Sequence, residues 1–113
     1  MKTSELTGAA LDWAVARIKN PDWWDDGYMD GDPMAALDMD DGTSYSPSTD
    51  WSQGGPIIGK EGITLRCGLH GWDAELPEFG VLMHGANALE AAMRCYVASK
   101  LGENVDIPQE LTA

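Results

Sequence analysis

Apolar residues recur at helical spacing near both ends of the chain. Leu6, Ala10, Trp13, Ala14 and Ile18 fall on one face and predict a helix over 4–19. Thr3 or Ser4 suits its N-cap, and Glu5 favours its first turn. Gly8 weakens it by about 1 kcal/mol relative to Ala, and Asn20-Pro21 ends it. The pattern over 88–101 is stronger. Leu89, Ala92, Met93, Tyr96, Val97 and Leu101 form an apolar face. Asn87 and Glu90 make a capping-box pair, Gly102 suits the position after the last turn, and Lys100 complements the dipole. Residues 103–113 read as an extended or frayed tail.

Between the helices the period changes to two. Ile63, Leu65 and Cys67 alternate with Thr64 and Arg66, which predicts a strand. Ile57-Ile58 reads as a shorter strand before it, with Lys60-Glu61-Gly62 as the turn, and Trp72-Asp73-Ala74 as another strand after it. Residues 76–87, with Pro77, Gly80 and Gly85, read as a loop. Nothing repeats internally. The predicted class is α+β: a small antiparallel sheet packed against an N-terminal and a C-terminal helix, with an acidic loop excursion, all in one domain over 1–113.

That excursion spans 21–44. It holds eight Asp and no Lys or Arg, broken by Gly27, Gly31, Pro33 and Gly42. Repulsion and turn formers oppose a long helix there. Trp23, Trp24, Tyr28, Met29, Met34, Leu37 and Met39 are interleaved, more apolar material than a solvated tail carries, so partial anchoring is expected. Asp38-Met39-Asp40-Asp41-Gly42 begins like a calcium loop, but glycine comes fifth and Thr49 stands where a bidentate Glu is needed.

Charge narrows the function classes. The 113 residues carry 19 acidic and 7 basic side chains, a net charge of −12. Such a balance excludes a direct nucleic-acid groove and an anionic membrane surface as main partners. Cys67 and Cys95 are too few for a disulfide framework and read as small, reduced core residues, in keeping with a cytoplasmic location. No apolar run reads as a signal peptide or a membrane span.

The chemistry-bearing patch is Tyr45-Ser46-Pro47-Ser48-Thr49-Asp50-Trp51-Ser52-Gln53-Gly54-Gly55-Pro56, which contains no aliphatic side chain. Such a segment is either a solvated loop or a polar site with aromatic walls. As a site, Tyr45 or Trp51 would stack on a base. Ser48, Thr49 and the amides of Gly54 and Gly55 would form a nest for phosphate or ribose oxygens. Asp50, beside two hydroxyls, suits a turn or a weak base. Lys60, Arg66 and Arg94 are the candidate cations; Arg94 stands beside the apolar face of its helix, at a core rim, a subunit seam or simply the surface. No nucleophile–base–orienter set is legible, so no catalytic residue is assigned. Cys67-x-x-His70 with His84 and Cys95 supplies only half of a zinc motif, so no metal or cofactor is assigned.

Several blocks in order are similar to one family. Ser4 to Ala16, Tyr45 to Trp51, Gly54 to Ile58 and Ala91 to Lys100 resemble the NinX-like small proteins of tailed bacteriophages. The acidic stretch 21–44 is not part of the resemblance and reads as an insertion. The resemblance implies a phage or prophage origin and an infected bacterial cytoplasm as compartment. It supplies no mechanism.

Two functions follow. In the first, the chain binds a nucleotide-like small molecule, such as a host defence signal, through Tyr45, Ser48, Thr49, Asp50, Trp51, Gly54, Gly55 and Arg94. In the second, it is an acidic inhibitor docking on a basic host protein through Asp22, Asp25, Asp26, Asp30, Asp32, Asp38, Asp40 and Asp41, with Trp23 and Trp24 as anchors. The acidity lies outside the shared blocks, which favours the first. A small core also suggests a homo-oligomer sharing the face of Tyr96 and Leu101.

Overall fold

The computed structural model describes residues 1–19 and 45–107. The acidic stretch 21–44, with all eight aspartates and both tryptophans of the inhibitor reading, lies outside those residues, as does the chain from 108 onward.

The N-terminal helix, α1, spans Gly8–Lys19, and a separate 3-10 turn covers Thr3–Glu5. The α-helix thus starts later than the predicted 4–19. Thr3 is no cap: it is buried, and its hydroxyl donates to the Gly102 carbonyl at 2.7 Å. Gly8 opens the helix at φ 55°, a left-handed value that favours glycine. Every residue from Ala10 to Ala16 is buried, including Asp12 and Trp13. A helix covered on all sides has no single stripe, which is why periodicity shows only part of its contacts.

The chain then forms a helix the sequence does not announce. This helix, α2, spans Trp51–Glu61 and contains Gly54, Gly55, Pro56 and the Ile57-Ile58 pair expected in a strand. Lys60 and Glu61 complete its last turn instead of forming a β-turn, and Gly62 ends it at φ 72°, its amide donating to the Ile58 carbonyl. Ile57 is buried from the helix as it would have been from a strand, so apolarity alone did not separate the two.

Three antiparallel strands follow: β1 Thr64–Gly68, β2 Gly71–Leu76 and β3 Val81–Gly85, in the order β1-β2-β3. The strand β3 replaces part of the loop expected over 76–87. Leu65, Ala74 and Met83 share one cross-strand row on the core face, while Arg66, Asp73 and His84 share one on the outer face. Cys67 is exposed, contrary to expectation, whereas Cys95 is buried, and burial pushes its thiol up to about 11.

The last helix, α3, spans Ala88–Leu101, as periodicity predicts. Asn87 Oδ1 accepts from the Glu90 amide at 2.9 Å, and the Glu90 carboxylate reaches back to the Ala86 amide at 3.1 Å. Nine of its residues are buried, and it lies across the core face of the sheet with α1 and α2 against it. Burying its Leu, Met and Val side chains contributes roughly 1.5–3 kcal/mol each. It passes so close to β3 that a Cβ on Gly85 would stand 2.5 Å from the Ala91 amide nitrogen. Tyr96 is buried and Leu101 packs on the core, so the face suggested for a homo-oligomer is occupied within the chain. The segment after α3 is extended but not frayed at its start: Thr3 donates to Glu103 and Val105 to Met1 through their backbones, at 2.8 and 2.9 Å.

Candidate functional site

The aliphatic-free patch splits into a turn and a helix start. The Ser46 carbonyl accepts from the amides of Thr49 and Asp50 at 3.0 and 2.8 Å, which closes the turn. Asp50 then caps α2, its Oδ1 accepting from the Ser52 amide at 2.9 Å and the Ser52 hydroxyl at 2.7 Å.

Two contacts fix this turn to the body. The Ser48 amide donates to Asp12 Oδ1 on α1 at 2.9 Å. Burial pushes the Asp12 carboxyl up from its ordinary range, and its contacts with Ser48 oppose that rise. The second contact is Gly54, whose Cβ would meet the Pro47 carbonyl and come within 2.7 Å of Leu89 Cδ2. Only a hydrogen fits there, so the turn, α2 and the start of α3 close on one another.

A cleft of about 350 Å³ lies where these pieces meet β2, lined by Ser48, Thr49, Trp51, Trp72, Asn87, Ala88 and Leu89. Its size falls at the lower end of small-ligand sites, about 300–1,000 Å³. Trp51 is 57% exposed and Trp72 is half-buried. The N-termini of α2 and α3 both adjoin the cleft, and helix N-termini favour negative charge. Thr49 donates weakly to the Ser46 carbonyl at 3.4 Å, which leaves its hydroxyl oxygen able to accept. Asn87 uses Oδ1 as the cap of α3, which leaves its Nδ2 as a donor. None of the described lining residues is ionisable, so among them the cleft presents aromatic faces and neutral polar groups and no acid–base pair. Among the described residues no cluster of three or more His, Cys, Asp or Glu is placed to hold a metal ion.

The structure thus brings together three of the eight predicted site residues, Ser48, Thr49 and Trp51, with Asp50 beside them as a cap. Gly54 and Gly55 form no nest: the Gly54 amide donates to the Asp50 carbonyl inside the helix, and Gly55 lies against the Trp51 ring, where a Cβ would stand 3.8 Å from Cε3. Tyr45 packs on the core; burial, with the charges of Tyr96 and Asp12, pushes its hydroxyl up to about 12. Arg94 is a structural tie. Its guanidinium donates to the Leu6 carbonyl at 2.6 Å and the His84 carbonyl at 2.7 Å, and approaches Glu90 at 3.3 Å. Of the other candidate cations, Arg66 pairs with Glu75 across the outer sheet face, and Lys60 closes α2. Trp72, Asn87, Ala88 and Leu89 are the lining residues that sequence reading did not place in the site. Trp72 and Asn87 were visible only as a strand start and a helix cap.

A family described as Bacteriophage P22, NinX has a model that matches residues 2–100, a span that runs through 21–44. No curated protein matches the chain at a significant level.

Proposed function

We propose a ligand-binding role for this chain, which belongs to the bacteriophage P22 NinX family. Its ligand is a small planar molecule of the nucleobase or nucleoside kind, held in the cleft between Trp51 and Trp72. The observation that carries this reading is the pair of tryptophans in one concavity, one of them more than half exposed. An indole left in water forgoes a favourable burial that a flat apolar ligand would restore. A base stacked on it contributes on the order of 1–3 kcal/mol. The Thr49 hydroxyl and Asn87 Nδ2 supply an acceptor and a donor for the base edge, and the two helix N-termini suit a single phosphate. A polyphosphate fits less well, because the described lining residues include no Lys or Arg and the chain carries a net charge of −12. Sequestration of a nucleotide-like host signal in the infected cytoplasm is the biological role this chemistry suits.

Calorimetric titration with the common ribonucleosides and their monophosphates tests the reading. Binding should occur with at least one of them, and Trp51→Ala should weaken it by about five- to a hundredfold, the equilibrium equivalent of one lost stack. Far-UV circular dichroism of the variant should match the parent. Silence across the whole panel sinks the proposal, as does a Trp51→Ala protein that binds equally well.

A further inference from the structure

On the outer sheet face, His84 of β3 stands opposite Asp73 of β2 and reaches over the β1–β2 turn. Its Nδ1 lies 2.7 Å from Asp73 Oδ1, and its Nε2 lies 3.1 Å from the His70 carbonyl oxygen. A carboxylate and a carbonyl only accept hydrogen bonds. A neutral imidazole has one N–H, whereas an imidazolium has two. Both contacts are hydrogen bonds only when His84 is protonated. We propose that His84 is a proton-operated clasp that fixes the β1–β2 turn and, through it, the Trp72 wall of the cleft. The importance given to Trp72 rests on the ligand reading above; the clasp does not.

The turn is shaped to receive the ring. Gly71 sits at φ 130°, and a Cβ there would come within 2.5 Å of the Gly85 carbonyl oxygen and 3.3 Å of His84 Nε2. Glycine therefore lets the imidazole lie over the turn at the residue just before Trp72. At the tip the Leu69 side chain is 99% exposed. Once His84 loses a proton, one of its two contacts changes from donor–acceptor to acceptor facing acceptor. Asp73 competes for the remaining N–H with full charge, so the His70 carbonyl is the contact released.

The charged groups around the ring set the direction. The bond to Asp73 raises the His84 pKa most, and the His70 carbonyl raises it further; slight desolvation and the Arg94 guanidinium, bound to the His84 carbonyl, oppose the rise. Arg66 on β1 pairs in register with Asp73, but its guanidinium goes to Glu75 and leaves the Asp73 carboxylate to the imidazole. With the folded value raised, the clasp's contribution is complete below the unfolded histidine pKa. It is lost as pH rises through the folded value.

The test uses the full chain without ligand. Imidazole NMR resonances and amide hydrogen exchange are followed from about pH 5.5 to about pH 9, spanning the ordinary histidine pKa near 6.5. His70→Gln assigns the two histidines. His84 should titrate above its ordinary value with both ring nitrogens protonated below the midpoint. Exchange of the 69–72 amides, corrected for intrinsic pH dependence, should rise across that midpoint by about two- to tenfold, the equilibrium worth of one hydrogen bond. His84→Gln should abolish the step, and Asp73→Asn should lower the midpoint. A midpoint at or below the ordinary value overturns the clasp, and so does a step that persists in His84→Gln. Because no ligand enters the measurement, a failure of the nucleoside titration cannot be mistaken for a failure here.

Discussion

Gly54 and Gly59 lie on the same helix in opposite surroundings. A Cβ on Gly54 would strike the Pro47 carbonyl and Leu89, whereas one on Gly59 would meet nothing within 4 Å. Gly54→Ala should therefore destabilise the protein by about 1–3 kcal/mol through overpacking. Gly59→Ala should stabilise it by about 0.5–1 kcal/mol, because alanine loses less backbone freedom in a helix. Urea denaturation of both variants checks the pair, and equal effects would mean that the turn does not seat on Gly54. Asp12 gives a second contrast. Its buried carboxyl has a raised pKa, so the ionised form is disfavoured in the fold and the cost grows as pH climbs through that value. Asp12→Asn keeps an acceptor for the Ser48 amide without the charge. The variant's stability advantage should widen from acid to neutral pH and close again on acidification, as read from denaturation midpoints. Asp12 carries no signal in the sequence beyond being one acid in an apolar helix. Its role depends on the Ser48 turn, 36 residues away.

The helices and strands were legible to different degrees for reasons that lie in particular residues. The α3 helix shows through because its cap, apolar stripe and terminal glycine all agree. The alternation Ile63-Leu65-Cys67 marks β1 correctly, although the exposed Cys67 shows that period two says which residues share a face and not how deep that face lies. The β3 strand was hidden by Gly80 and Gly85, one at the turn before it and the other at the close approach of α3. The α2 helix was hidden by Gly54, Gly55, Pro56 and Gly59, the residues least suited to a helix interior. Tertiary contact overrides propensity there, and Gly54 shows how, since close packing against the Pro47 turn requires its missing side chain. The candidate site was half legible for the same reason. The residues contiguous in sequence were found, and Trp72 and Asn87, brought in from β2 and the start of α3, were not. Pro56 remains a local liability. It is exposed and lacks an N–H, so it cannot donate to the Ser52 carbonyl one turn before it. Pro56→Ala should raise stability by about 1–2 kcal/mol after the larger unfolded-state entropy is set against the restored hydrogen bond. A lowered melting temperature would show that the proline fixes the helix start rather than weakening it.

For the whole molecule the question is whether charge or cleft carries the function. Eight of the 19 acidic residues fall within 22–42, a stretch with no basic residue, while all seven Lys and Arg lie outside it. The described residues that line the cleft all follow that stretch, and Asp12 before it braces the turn beside them. Among the described residues no helix is long and apolar enough to cross a membrane. An inhibitor acting through its charge would depend on residues 22–42 and lose affinity steeply with salt, since exposed charges are screened beyond about 8 Å at physiological ionic strength. A binding protein acting through stacking would depend on neither. Replacing 22–42 with a short Gly-Ser linker removes eight negative charges and keeps every described cleft residue in the chain. The shortened protein should bind a neutral nucleoside within about twofold of the parent, a change of less than 0.5 kcal/mol. Both proteins should bind it equally at low and high salt, and the shortened one should lose less affinity when a monophosphate is offered instead, because the long-range repulsion has been reduced. Isothermal titration at two salt concentrations measures all of this. A shortened protein that keeps its circular dichroism but no longer binds would move the function to the acidic stretch.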